Sequence, residues 1–195
     1  NTPPPSAKTL LDVQAVAGDL TVGTFTAATA ALVSGNNTAV STGTTTGEML
    51  ATVGRNATLG SLTSSGDKVK VDAIGTLTVT TAKAATQVDL SGRAGLTATT
   101  LTSTNAFIDV ESLAGSVSVK TASAKTYFNA NSYGAMTVGT FGVTAGYARL
   151  VSGGAMAITT GTSTGNMTID GGTNAALGTL TSSTGQIDAS ALDGG

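Results

Sequence analysis

The run VKVDA at 69–73 returns in altered letters as QVDLS at 87–91, FIDVE at 107–111 and GQIDAS at 185–190. Aligning these runs yields a column of Asp12, Ala31, Leu50, Lys70, Asp89, Asp109, Asn129, Arg149, Thr168 and Asp188, spaced by 19 or 20 residues throughout. Strand side chains alternate between two faces, so the neighbours of this column must point the other way. The preceding residues are Leu11, Ala30, Met49, Val69, Val88, Ile108, Phe128, Ala148, Met167 and Ile187. The following ones are Val13, Leu32, Ala51, Val71, Leu90, Val110, Ala130, Leu150, Ile169 and Ala189. Every flanking position is apolar. A fixed period with one side chain set always inward is the mark of a solenoid.

Working outward, two more runs complete the unit. GDLTVGTF at 18–25, GTLTVTTA at 75–82 and GAMTVGTF at 134–141 share the same form, with NAALGTL at 174–180 a shorter relative. In the first run, pairs such as Leu77/Val79 and Met136/Val138 face inward, with Thr78 and Thr137 outward between them. In the middle run, Phe25, Gly43, Leu62, Ala82, Leu101, Ala122, Phe141, Gly161 and Leu180 fill the inside. Three inward columns per unit predict a prism with three sheet faces, its corners turned by Gly, Asn and Ser. The fold class expected is all-β: a parallel β-helix of about ten three-stranded coils, each of 19–20 residues. Stacked about 4.8 Å apart, ten coils make a rod roughly 48 Å long. Phe25, Phe107, Phe128 and Phe141 are expected to fill rungs that carry small residues such as Ala30, Gly43 and Gly161.

Composition agrees with a thin core. About a fifth of the residues are Thr, 10% are charged, 4% are aromatic, and His, Cys and Trp are absent. Yet 40% are hydrophobic, which opposes disorder. The net charge of −2 includes no basic stripe, so nucleic acid is not an expected partner. No run of about 18 apolar residues exists to span a membrane, and Asn1–Leu20 has no signal-peptide pattern. The expected organisation is a Pro-containing extension at 1–9 and a solenoid at 10–195, part of a longer shaft, whose open ends invite end-to-end contacts.

Absence of His and Cys removes the common zinc sites and the Ser-His and Cys-His dyads. No residue is nominated as catalytic, cofactor-binding or metal-binding, and no enzyme activity is expected. The strongest cluster is Asp72, Asp89, Asp109 and Glu111, with Lys70 one rung away to offset it. Oxygen ligands of this kind suit weak Ca²⁺ binding, but a solvated, mixed-charge face accounts for them as well.

Runs such as AGDLTVGTFTA at 17–27, GSLTSSGDKVKVDAIGTLTV at 60–79 and GTLTSSTGQIDAS at 178–190 resemble the repeats of filamentous haemagglutinin, over about Leu10 to Ser190. That resemblance implies a right-handed coil, a handedness the period alone does not supply. It also implies a large bacterial surface or secreted adhesin, exported with an outer-membrane transporter partner in two-partner secretion. Cell–cell, host-receptor or matrix adhesion would follow. The family's Asn-Pro secretion signature and an Arg-Gly-Asp sequence are missing here, which points to shaft and not tip.

Two other functions stay open. Thr24/Thr26, Thr42/Thr44, Thr100/Thr102, Thr160/Thr162 and Thr179/Thr181 predict a Thr-x-Thr array on one face, suited to ice binding but interrupted at Lys83 and Gly142. Thr is also a good outward residue on any sheet. The other alternative is a matrix scaffold binding polysaccharide, with Tyr127, Tyr133 and Tyr147 as stacking platforms. Their irregular spacing suggests that they cover corners or core gaps instead.

Overall fold

The computed structural model describes residues 6–191, all of whose regular structure is β. Eighteen strands join in one parallel sheet network, each pairing with the strand two places on in the chain once the coils are established. The coil of 19–20 residues is therefore a turn of a β-solenoid, as the repeat predicts. Pro3-Pro4-Pro5 and the Asp193-Gly194-Gly195 tail lie outside the described residues. Pairing reaches back to Ser6, opposite Thr26, ahead of the expected boundary at Leu10.

The first two runs of a coil are continuous in hydrogen bonding, a detail the three-run pattern did not separate. β3 (Thr38–Thr45), β5 (Ala57–Ser64), β7 (Thr76–Ala84), β9 (Gly95–Ser103), β11 (Val117–Ala124), β13 (Met136–Val143), β15 (Met156–Ser163) and β17 (Ala175–Ser182) each span both faces. A bend lies inside them. In β3, Val40 faces in, then Ser41 and Thr42 both face out, then Gly43 faces in. Two successive outward residues shift the alternation by one, and that slip is the corner. Pairing skips this point, running from Val40↔Leu59 directly to Thr42↔Ser61.

The third run forms β4 (Met49–Val53), β6 (Val69–Ala73), β8 (Gln87–Gly92), β10 (Phe107–Ser112), β12 (Tyr127–Ser132), β14 (Tyr147–Ser152), β16 (Met167–Gly171) and β18 (Ile187–Ala191). The first coils differ: β1 (Ser6–Ala15) pairs with β2 (Leu20–Ser34), which rounds all three faces without a break.

Inside, Val88, Ile108 and Phe128 stack in register and are fully buried. Each such side chain contributes about 1.5–3 kcal/mol by leaving water. That burial depends on the coils above and below, because a lone coil encloses nothing. Two glycines make room for rings from neighbouring rungs. A Cβ on Gly43 would lie 2.5 Å from the Phe25 ring, and one on Gly161 2.3 Å from the Phe141 ring. Phe128 continues this filling, its ring centroid 5.5 Å from that of Phe141 at a 43° tilt. Phe107 does not belong to the core: it is the residue before inward Ile108, so alternation turns it outward.

Corners are held by hydroxyls that periodicity alone did not reveal. The single hydroxyl proton of buried Ser34 is shared between Gly18 O and Asn37 O, at 3.1 and 3.0 Å, and Ser132 and Ser152 each donate to a corner carbonyl at 2.8 Å. The same corner carries a side-chain ladder in the first coils. Asn37 Nδ2 donates to Asp19 at 3.1 Å, Asn56 Nδ2 to Asn37 at 3.3 Å, and Thr76 Oγ1 to Asn56 at 2.9 Å. Turn carbonyls that would otherwise lie unpaired near the core are thus satisfied.

Candidate functional site

With the interior filled by apolar side chains and a few buried Ser and Thr hydroxyls, charged and aromatic chemistry resides on the outward columns. The middle face carries hydroxyls. Parallel register places Thr24, Thr42, Ser61, Thr81, Thr100, Thr121, Thr140, Thr160 and Thr179 in one unbroken column. The column two residues along carries Thr at most rungs and is interrupted by Lys83 and Gly142. Among the described residues, the array's one internal side-chain hydrogen bond runs from Thr162 Oγ1 to Phe141 O at 3.5 Å. The remaining hydroxyls are left for solvent.

The third face is built differently. Lys70, Asp89, Asp109, Asn129 and Arg149 occupy successive rungs of one column, as the period placed them. Two carboxylates one rung apart repel unless each has its own partner. Asp89 takes Lys70 Nζ at 3.0 Å and Gln87 Nε2 at 3.2 Å, while Asp109 takes Asn129 Nδ2 at 2.9 Å. Lys70 also lies 3.6 Å from Asp72.

The electrostatics follow from those contacts. Hydrogen bonding to Asp89 holds the Lys70 ammonium above its ordinary value, against a smaller opposing effect of burial. Burial raises the Asp109 carboxyl above the usual carboxylate range; the Asn129 amide opposes this, and the charge on Asp89 adds to it. Glu111 sits two residues from Asp109 along β10 and forms no ion pair among the described residues. No group of three or more acidic, His or Cys side chains among the described residues is arranged to hold a metal ion.

The feature that sequence reasoning missed is aromatic. Phe107, Tyr127 and Tyr147 stack at the start of the third face. Their successive centroids are 4.4 and 5.3 Å apart, and the planes agree within 9° and 8°. The signal was available, since these three positions are 20 residues apart. Grouping the tyrosines alone, with Tyr133 among them, concealed it. Tyr133 belongs to a corner and is 74% exposed. Burial within the ladder also raises the Tyr127 phenol, with the charge on Asp109 contributing.

The ladder stops at Tyr147, which is 48% exposed. Ala148 pairs with Met167, so the next rung presents Asn166 where another ring would stand. The outer ring face of Tyr147 therefore borders a shallow depression of about 520 Å³, lined also by Gly146, Arg149, Gly165, Asn166 and Thr168.

Comparison with protein-family models, curated proteins and solved structures returns no match. No helix of the described residues is long and apolar enough to cross a membrane.

Proposed function

We propose that this chain is a structural shaft: a stiff rod that holds adhesive or other functional segments away from a bacterial surface. The supporting observation is the parallel register, which runs from β2 to β18 with inward columns on the same three faces in every coil. A rod stabilised by neighbour-to-neighbour stacking can be lengthened coil by coil without a new core. Resemblance of the repeats to filamentous haemagglutinin supports export by two-partner secretion through an outer-membrane transporter, and adhesion to cells, host receptors or matrix as the setting for such a shaft. Small-angle scattering of the purified chain should yield an elongated particle of about 48 Å with a constant cross-section. Limited proteolysis should leave the stacked coils uncut. A globular scattering profile, or rapid cleavage between Leu20 and Ser163, would remove the basis for a shaft.

A second reading rests on the unbroken hydroxyl column of the middle face. Regular Thr rungs about 4.8 Å apart suit the ordering of water into ice. Thermal hysteresis at micromolar protein, abolished by Thr100→Tyr, would move the function to that face.

A further inference from the structure

We infer that the third face binds a neutral polysaccharide, with the exposed ring face of Tyr147 as the stacking platform for one pyranose unit. This goes beyond the shaft and does not depend on it. Three observations converge on one spot. First, the aromatic ladder ends there. Phe107 and Tyr127 occupy each other's ring faces and fix Tyr147 parallel to them, which leaves one preoriented apolar surface open at the last rung. Holding a ring in place before binding reduces the ordering cost that a ligand must overcome.

Second, the depression beside that ring is bordered by groups that match sugar hydroxyls. Arg149 offers a planar donor fork and has no ion-pair partner among the described residues. Asn166 accepts Gln186 N–H at 3.1 Å through Oδ1, which turns its amide donor end elsewhere. Thr168 adds a hydroxyl on the Arg149 column, one rung on. An aromatic wall with a few convergent polar groups is the usual composition of a small-ligand site.

Third, the charge on this part of the face selects against polyanions. In the coils of the ladder it carries two carboxylates, Asp109 and Glu111, and one guanidinium, Arg149. A single guanidinium, with two carboxylates two rungs back, makes no basic patch of the kind that holds a sulfated or uronic chain. A neutral chain whose pyranose stacks on the open Tyr147 face would instead run across the rod over the next rung, within reach of Asn166 and Thr168. The Thr face has no ring to stack on, so affinity should be confined to one side of the solenoid.

Affinity electrophoresis of the whole chain, in gels containing hydroxyethylcellulose, galactomannan or dextran sulfate, tests this directly. At least one of the two neutral polymers should retard the wild type. Tyr147→Ala should weaken that retardation about tenfold, the magnitude of one well-stacked ring, whereas Tyr147→Phe should retain it and Thr100→Ala should not alter it. Asn166→Ile covers the open ring face without supplying another and should also abolish retardation, without removing any aromatic group. Circular dichroism of each variant separates loss of the site from loss of the fold. Retardation by dextran sulfate alone, by neither neutral polymer, or by a neutral polymer equally in wild type and Tyr147→Ala would overturn the proposal.

Discussion

The middle and third faces stand on the same apolar filling but meet solvent in opposite ways. On the middle face, residues two apart repeat Thr from rung to rung, and their hydroxyls remain almost entirely free of internal bonds. On the third face, successive rungs carry different side chains that pair with one another: Lys70 with Asp89, Asn129 with Asp109, Phe107 with Tyr127 and Tyr147. The stacking principle of the solenoid requires only that outward residues tolerate a sheet, and Thr does so alone. What the third face adds is therefore not needed to build the rod. A cooperative outer surface on one side only is where binding should be sought.

The largest effect should come from the interior that both faces share. Phe128 lies beneath the third face and Phe141 beneath the middle one, and their rings meet. Phe128→Ala should cost about 3–5 kcal/mol in urea or guanidinium unfolding. A loss below about 1 kcal/mol would mean that neighbouring rungs collapse into the space, and that the two faces do not rest on one common filling.

Next in size is Gly161→Ala, beneath the middle face alone. The added methyl meets the Phe141 ring and Leu180, so about 1–3 kcal/mol should be lost by overpacking. Combining it with Phe141→Leu should recover part of the loss, since the ring is what the glycine accommodates. If the double variant is as unstable as the sum of the two singles, the contact is not the cause.

Much of this interior could be read from letters. Alternation with a fixed period placed Ile108, Phe128 and Leu150 inside, and it located the Thr columns and the Lys70–Asp89–Asp109 rung order. It also contained the answer for Phe107, which precedes an inward residue and so must face out; attention to ring size alone put it in the core. The Tyr147 depression was not readable, because it depends on a ring being absent at Asn166 and on the planes of two others. Nor were the corner hydrogen bonds of Ser34 and Ser132, which depend on where turn carbonyls happen to point. Periodicity reports which way a side chain faces, and little about what it meets there.

A sharper test of the contrast compares single outward side chains. Lys70→Met on the third face leaves Asp72 and Asp89 without their cation and should cost about 0.5–1 kcal/mol, the usual scale for a partly exposed pair. Thr121→Val on the middle face removes a hydroxyl with no internal partner and should stay within about 0.5 kcal/mol. Equal losses at the two sites, measured by the same denaturation, would erase the distinction between a paired face and an unpaired one.

The smallest effect is also the most diagnostic, because its sign is unusual for an aspartate. Burial raises the Asp109 carboxyl in the folded chain above its ordinary 3.8. Below that ordinary value the group is protonated whether the chain is folded or not, and it carries no penalty. As pH rises past 3.8 the unfolded chain releases the proton while the folded one still holds it, so stability falls. Above the raised value the penalty is complete and constant. Asp109→Asn is neutral at every pH and keeps an oxygen to accept from Asn129. Its urea midpoint should therefore equal or exceed that of the wild type at pH 7, with the gap closing as pH drops below about 3.8. A wild type that gains on the variant as pH rises would mean that the charge on Lys70 outweighs burial at Asp109. The geometry argues otherwise: Lys70 reaches Asp89 directly at 3.0 Å, whereas its pull on Asp109, one rung farther on, is weaker than burial, and the direct partner there is the Asn129 amide.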